Sequence, residues 1–342
     1  MSSALFLTAL GGLVLASYPS YQTLQILYGY WGFTSVFLFW GAMIKATRLW
    51  GGDNNQGKAF GFLDGGRGIV AASMGSIGVF VFTIVLTSDI ESASVLERQE
   101  AFRYVILLSS FMVAFIGLLV LIFLRNMEDK NTNFELPLNT LTNIKGVLKN
   151  ESIWLLMLII MCAYVGYKVT DIYSLYASEV MLYDQIEAAE VGALQLYLRP
   201  IVCIAIGLLA DRTKNMFWII FGFVTMLIGA LIFSFGIIKP DMNFIFFLSL
   251  VILAVGTYSI RALYFAVLKE ANVAFALTGT AVGIISVVGY SPDIFAGPIM
   301  GYLLDENPGI IGHQYVYFML VIFSIIGLIA SIRFARLTKL SG

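Results

Sequence analysis

Ten apolar runs, each close to the length of a bilayer crossing, follow one another along this chain, and that succession limits the fold more than any motif does. They lie near 3–19, 22–44, 59–87, 103–124, 152–177, 191–210, 216–237, 243–267, 274–303 and 316–335. A helix needs about 20 mostly apolar residues to cross the hydrocarbon core, where its own backbone bonds must satisfy every N–H and C=O. The runs lack the period-2 alternation of a membrane barrel, so they are read as helices. Composition agrees: 59% of the 342 residues are apolar and 12% charged, against about 25% charged in soluble domains. The expected fold is an all-α integral membrane protein with about ten transmembrane helices.

Several function classes fall away. With 20 Lys and Arg against 21 Asp and Glu, nucleic acid binding has no electrostatic support. Cys162 and Cys203 lie inside apolar runs and read as small buried residues. His313, the one histidine, is placed in a polar connection and has no second histidine with which to build a zinc site or a triad. No phosphate-binding or dinucleotide-binding glycine motif is present, and no cofactor or metal is expected. The loop charges are more informative. Thirteen basic residues fall in one set of alternating connections, among them Lys45, Arg48, Lys58, Arg212, Lys214, Lys269 and Arg333, while the other set holds only Arg98 and Lys239. This split puts the first set and both termini in the cytoplasm of a multi-pass inner or plasma membrane protein.

The most polar stretch, with Glu128, Asp129, Lys130, Asn131, Asn133, Glu135 and Pro137, marks a boundary. The expected organisation is a four-span bundle over 1–126, a cytoplasmic linker over 127–149 and a six-span bundle over 150–342. An internal repeat supports two halves. Gly32–Lys45 aligns on Gly256–Lys269 with matches at Gly32/Gly256, Ser35/Ser259, Ala42/Ala266 and Lys45/Lys269, and parallel repeats are a transporter feature. If spans one to four correspond to spans seven to ten, the counterparts of spans five and six would precede residue 1, so two helices are expected to be missing.

At the end of span six, Gly207-Leu208-Leu209-Ala210-Asp211-Arg212 resembles the G-x-L-A-D-R loop motif of the major facilitator superfamily, departing from it at Lys214-Asn215-Met216. The Gly-rich stretches Gly57–Gly68 and Gly289–Gly301 are similar in placement to that family's fifth and eleventh helices. The resemblance implies a two-bundle transporter of twelve helices, of which this chain would hold helices three to twelve. It also implies that Gly207, Asp211 and Arg212 form a conformational latch, with a plain basic turn as the simpler account.

Arg67, Lys168, Arg199 and Arg261, with Asp64, Asp171 and Asp293, sit at membrane depth, where each would cost about 2.5–3.5 kcal/mol facing lipid. Arg103 is near enough to a span end to snorkel. Helical spacing puts Tyr164, Tyr167, Lys168, Asp171, Ser174 and Ser178 on one arc of about 120°. Lys168 there holds an anionic solute group and Asp171 tunes it or carries a proton, or the two form only an i,i+3 ion pair. Arg261 sits with Thr257, Tyr258 and Tyr264 on one arc and reads as an unpaired arginine suited to carboxylate, phosphate or sulfonate. Arg199 contacts solute or pairs with Asp171 or Asp293. Arg67 is a gate or solute contact, or closes a local pair with Asp64 on a packing helix whose stripe is Gly61, Gly65, Gly68, Ala72 and Gly75. Asp293, next to Pro292, is the coupling candidate, the alternative being a structural pair.

The reading is a secondary transporter, not an enzyme, that moves a small polar, anionic organic solute by alternating access, with proton coupling through Asp293 or Asp171. Its partners are that solute and the lipid bilayer, and it acts as a monomer. Neutral sugars stay open because tyrosines also suit them. The rivals are a truncated remnant without transport activity and a membrane-embedded enzyme, against which the single histidine and scattered carboxylates argue.

Overall fold

The computed structural model describes residues 1–86, 94–124 and 140–340, and every regular element among them is helical. The chain opens with α1 (Ser2–Ala16) and α2 (Tyr21–Gly32), which continues through a π-helical stretch, Phe33–Trp40, into α3 (Gly41–Gly51). Then follow α4 (Gln56–Val85), α5 (Val95–Phe123), α6 (Thr140–Leu148), α7 (Glu151–Val169), α8 (Tyr173–Glu179) and α9 (Gln185–Asp211). The last elements are α10 (Asn215–Ser234), α11 (Asn243–Leu263), α12 (Thr278–Gly289), α13 (Pro292–Glu306) and α14 (Ile310–Leu340).

Among the described residues, eight helical runs are long and apolar enough to cross a membrane, and they fall on the third to tenth expected spans. The first two expected spans fall on α1, which has 15 residues, and on the run from α2 to α3. The polar string from Glu128 to Pro137 lies outside the described residues. Helix starts carry the expected chemistry. Ser94 with Glu97 and Asp184 with Glu187 form capping boxes on α5 and α9, which satisfy N–H groups that a helix cannot pair internally.

The chain divides into two compact units, one of Met1–Lys45 with Val70–Leu138 and the other of Ala46–Ile69 with Asn139–Gly342. In the first, α1 packs on α5 and α2. Polar groups there are satisfied locally: Ser2 Oγ donates to the Gly117 carbonyl at 2.6 Å and Trp31 Nε1 to the Thr8 carbonyl at 3.0 Å. Arg103 Nε donates to the Ala16 carbonyl at 3.0 Å, placing a cation at the negative end of α1.

In the second unit, α10 packs on α11 and α14, and α7 on α14 and α12. An aromatic cluster of Tyr176, Phe233, Phe246 and Tyr317 fills one end. His313 corrects the sequence reading. It is not in a polar connection but inside α14, fully buried, with its ring edge-on to Tyr176 and its Nε2 3.0 Å from Glu179 Oε2.

The crossing of α10 and α11 depends on two glycines. A Cβ on Gly256 would lie 2.6 Å from the Met226 backbone nitrogen and 2.7 Å from the Gly222 carbonyl oxygen, whereas one on Gly279 of α12 would meet nothing within 4 Å. Backbone cannot yield as a flexible side chain can, so Gly256→Ala is expected to destabilise the unit by about 1–3 kcal/mol. Thermal unfolding of the detergent-solubilised protein should show a lower midpoint for Gly256→Ala and no loss for Gly279→Ala.

Candidate functional site

The arc predicted on span five is present as one face. Asn150 caps α7 by accepting from Ser152 N at 3.0 Å, and the helix passes through a 3-10 turn, Thr170–Ile172, into α8. Along this run Tyr164, Tyr167, Lys168, Asp171, Ser174 and Ser178 are all at least partly exposed, while Cys162, Ala163, Val165, Gly166, Val169, Thr170, Ile172 and Tyr173 are buried. Lys168 Nζ lies 2.9 Å from Asp171 Oδ2 and 3.8 Å from Asp293 Oδ1. Tyr164 OH donates to Asp293 Oδ2 at 3.0 Å, and the Tyr164 ring meets Tyr290 edge-on with centroids 4.9 Å apart. Tyr264 OH and Tyr290 OH are 3.2 Å apart. One ammonium is thus shared by two half-exposed carboxylates inside a rim of tyrosines.

A second cluster is built on Asp64 of α4. Arg199 Nη2 donates to Asp64 Oδ1 at 2.9 Å, Arg67 Nη1 lies 3.3 Å from the same oxygen, and Arg261 Nε lies 3.6 Å from Oδ2. Cys203 Sγ is 3.4 Å from Oδ2. The Arg261 guanidinium stacks 3.8 Å from the centroid of Tyr167 and 5.6 Å from that of Tyr164, a cation–π arrangement that ties the two clusters together. Side-chain exposure is 3% for Arg261, 6% for Asp64 and 10% for Arg199, but 40% for Arg67. Three guanidiniums on one carboxylate leave donors over. Arg261 Nε and Nη1 and Arg199 Nε are buried without a hydrogen-bond acceptor among the described residues.

Two sequence premises change here. Arg261 is paired with Asp64 rather than unpaired, and Arg199 is bonded to Asp64 rather than to Asp171 or Asp293. Asp64 itself was read only as a local partner of Arg67. The signal that could have found its larger role is the charge count at depth: four cations against three carboxylates, with Asp171 and Asp293 both within reach of Lys168.

The third part of the site lies where α4 begins. Gly57 N and Lys58 N donate to Asp211 Oδ1 and Oδ2 at 2.7 and 2.8 Å, so a carboxylate from the end of α9 sits on the positive end of α4. The backbones are in direct contact. A Cβ on Gly207 would lie 2.5 Å from the Gly57 carbonyl oxygen and 2.9 Å from Gly61 Cα. Gly65 and Gly68 of the expected stripe continue this contact along Ile204, Pro200 and Arg199, while a Cβ on Gly75 would meet nothing within 4 Å. Arg212 is exposed beside the contact.

Around it, Arg48 donates to Thr278 Oγ1 at 2.7 Å and to the Val273 carbonyl at 2.8 Å, and Lys269 Nζ bonds Asp53 Oδ1 at 2.5 Å. Lys269, bonded to it, holds the Asp53 carboxyl below its ordinary range. Burial pushes the nearby Glu270 carboxyl up and the Arg48 guanidinium down.

With this geometry in place, comparison with known proteins gives a consistent answer. The sequence model described as Major Facilitator Superfamily matches residues 1–291. The chain is 25% identical over 348 residues to the inner membrane protein YihN of Escherichia coli (strain K12), covering 98% of this chain and 79% of that protein. It is 24% identical over 328 residues to the inner membrane protein YqcE of the same organism, covering 93% of this chain and 74% of that protein. Among solved structures, the major facilitator transporter FucP in its outward conformation matches with a TM-score of 0.72 at 15% identity, over 96% of this chain and 82% of that one. A bacterial homologue of the iron transporter ferroportin in an outward-facing state matches with a TM-score of 0.67 at 13% identity, over 98% and 82%. The family match covers most of the chain and the fold matches cover nearly all of it: this multi-pass membrane protein belongs to the Major Facilitator Superfamily.

Proposed function

We infer that the protein is a secondary transporter for a small, polar, anionic organic solute, bound at the Lys168, Arg261 and Arg199 face. The observation that carries this reading is the excess of guanidinium donors: Arg261 and Arg199 keep buried N–H groups without acceptors among the described residues even though Asp64 is present. A planar anion with two or three oxygens supplies what those forks lack. Tyr164 and Tyr167 form the wall beside them, and Arg67 lies at the exposed edge. Expressed cells or proteoliposomes should take up members of a panel of hydroxylated carboxylates, phosphates and sulfonates. Arg261→Ala and Lys168→Ala should each cut that uptake about 30-fold or more, the range for removing one partner of a buried charged contact. Uptake of neutral hexoses that both variants leave intact would overturn the anion reading.

Transport is by alternating access, the first four spans (1–126) moving against the last six (150–342). The end that carries Asp211 faces the cytoplasm of the inner membrane, a placement the basic loops support. Asp211, seated on Gly57 N and Lys58 N across from Gly207, is the latch, with Arg212 beside it. Losing a carboxylate cap of this kind costs about 1–2 kcal/mol. Asp211→Ala should therefore shift the population toward opening by about 5–30-fold. A cysteine placed at buried Ala210 in a background without Cys162 and Cys203 reads this out. Its labelling by an impermeant maleimide, added from the cytoplasmic side of inverted vesicles, should accelerate in Asp211→Ala.

Coupling to protons runs through the carboxylates that share Lys168, with Asp293 the carrier and Asp171 holding the ammonium when Asp293 is neutral. Asp293→Asn should keep solute exchange between the two sides and lose accumulation driven by a pH gradient. Gradient-driven accumulation that survives the substitution removes Asp293 from the coupling.

A further inference from the structure

Asp64 does more than neutralise Arg67. It is 4% exposed, and it is carried into the second unit's interior by the glycine contact of α4 with α9. Its carboxylate touches Arg199 of α9 and Arg261 of α11, two of the groups assigned to the solute. Both of its oxygens are in use, one by Arg199 and Arg67 and the other by Arg261 and Cys203. The arginines, by contrast, are undersatisfied. A solute anion that approached Arg261 and Arg199 along their shared Tyr167 wall would meet donors already occupied in part by an internal carboxylate.

We propose that Asp64 is a tethered competitor for the solute's anionic group: it stands on Arg199 and Arg261 while the site is empty, and the bound anion displaces it. The inference rests on the anion reading given above, and it adds a consequence of its own. Because Asp64 and Asp211 fasten the same helix to α9, an anion that takes Arg199 and Arg261 from Asp64 removes one of the polar ties between α4 and α9 among the described residues. Solute binding thereby loosens the hold of α9 on the start of α4. Two ligands for one pair of guanidiniums exclude each other, and the linkage is reciprocal.

The test is equilibrium binding to the protein in detergent, read by ligand-dependent thermal shift and calorimetry. Gluconate, lactate, sulfate and inorganic phosphate serve as probes, with glucose as the neutral control. Removing a tethered competitor raises the fraction of protein competent to bind, so Asp64→Asn should bind the best probe anion about tenfold more tightly than the wild type, while Arg261→Ala loses binding. Asp64→Glu keeps the carboxylate and should stay near the wild-type affinity. If Asp64→Asn alone does not fold, Asp64→Asn with Arg67→Gln restores the cluster's net charge, leaves Arg199 and Arg261 in place and should show the same tightening. Equal or weaker anion binding in the Asn variants overturns the competitor and leaves the anion reading standing. Binding of glucose with no anion bound by either protein overturns the anion reading itself, and the competitor with it.

Discussion

A charge taken into a bilayer has to be matched by another charge or kept in water, and much of this protein's second unit is arranged around that requirement. Seven charged side chains lie within the spanning helices of the candidate site, and they sort into two groups by exposure. Asp64, Arg199 and Arg261 are buried and matched to each other. Lys168, Asp171 and Asp293 are partly exposed and share one ammonium between two carboxylates, with Arg67 at the open edge. Isolated burial of any one of the first group would be expensive. Their partners therefore fix which helices must meet: the start of α4 must lie on α9, and α9 beside α11.

That constraint explains why segment Ala46–Ile69 belongs to the same compact unit as Asn139–Gly342. Three kinds of contact converge on it. The Asp64 cluster supplies charge, Asp211 on Gly57 N and Lys58 N supplies a helix-end carboxylate, and Gly57, Gly61 and Gly207 supply close backbone approach. Arg48 adds hydrogen bonds to Thr278 and Val273 farther out. Each is local and polar or small, in contrast to the aromatic cluster of Tyr176, Phe233 and Phe246 that fills the far end.

What the sequence conveyed and what it withheld divide along physical lines. Eight of the ten expected spans were legible because length and apolarity are local properties, and the arc from Tyr164 to Ser178 was legible because a helix has a fixed period. Partners were not. Asp64 is 135 residues from Arg199, and nothing in the spacing of either residue states that they meet. The sequence leaves Arg199 as a solute contact or a partner of Asp171 or Asp293, and it leaves Arg261 unpaired. His313 was misplaced for a related reason: its neighbours Gly312 and Gln314 look like a loop, yet the residues one turn away, Ile310 and Tyr317, carry the helix through it. The π-helical stretch Phe33–Trp40 has no compositional mark at all.

The contact between Gly57, Gly61 and Gly207 has a kinetic meaning. Most helix pairs interlock side chains, and separating them requires many rotamers to be freed and then found again. Here Gly57, Gly61 and Gly207 meet largely backbone to backbone, so at these three positions there is no side chain to interdigitate and no rotamer entropy to lose. Such a seam can part and close again as two smooth surfaces do. Under the proposed latch, its opening would be timed by the few polar groups that span it rather than by the repacking of a core.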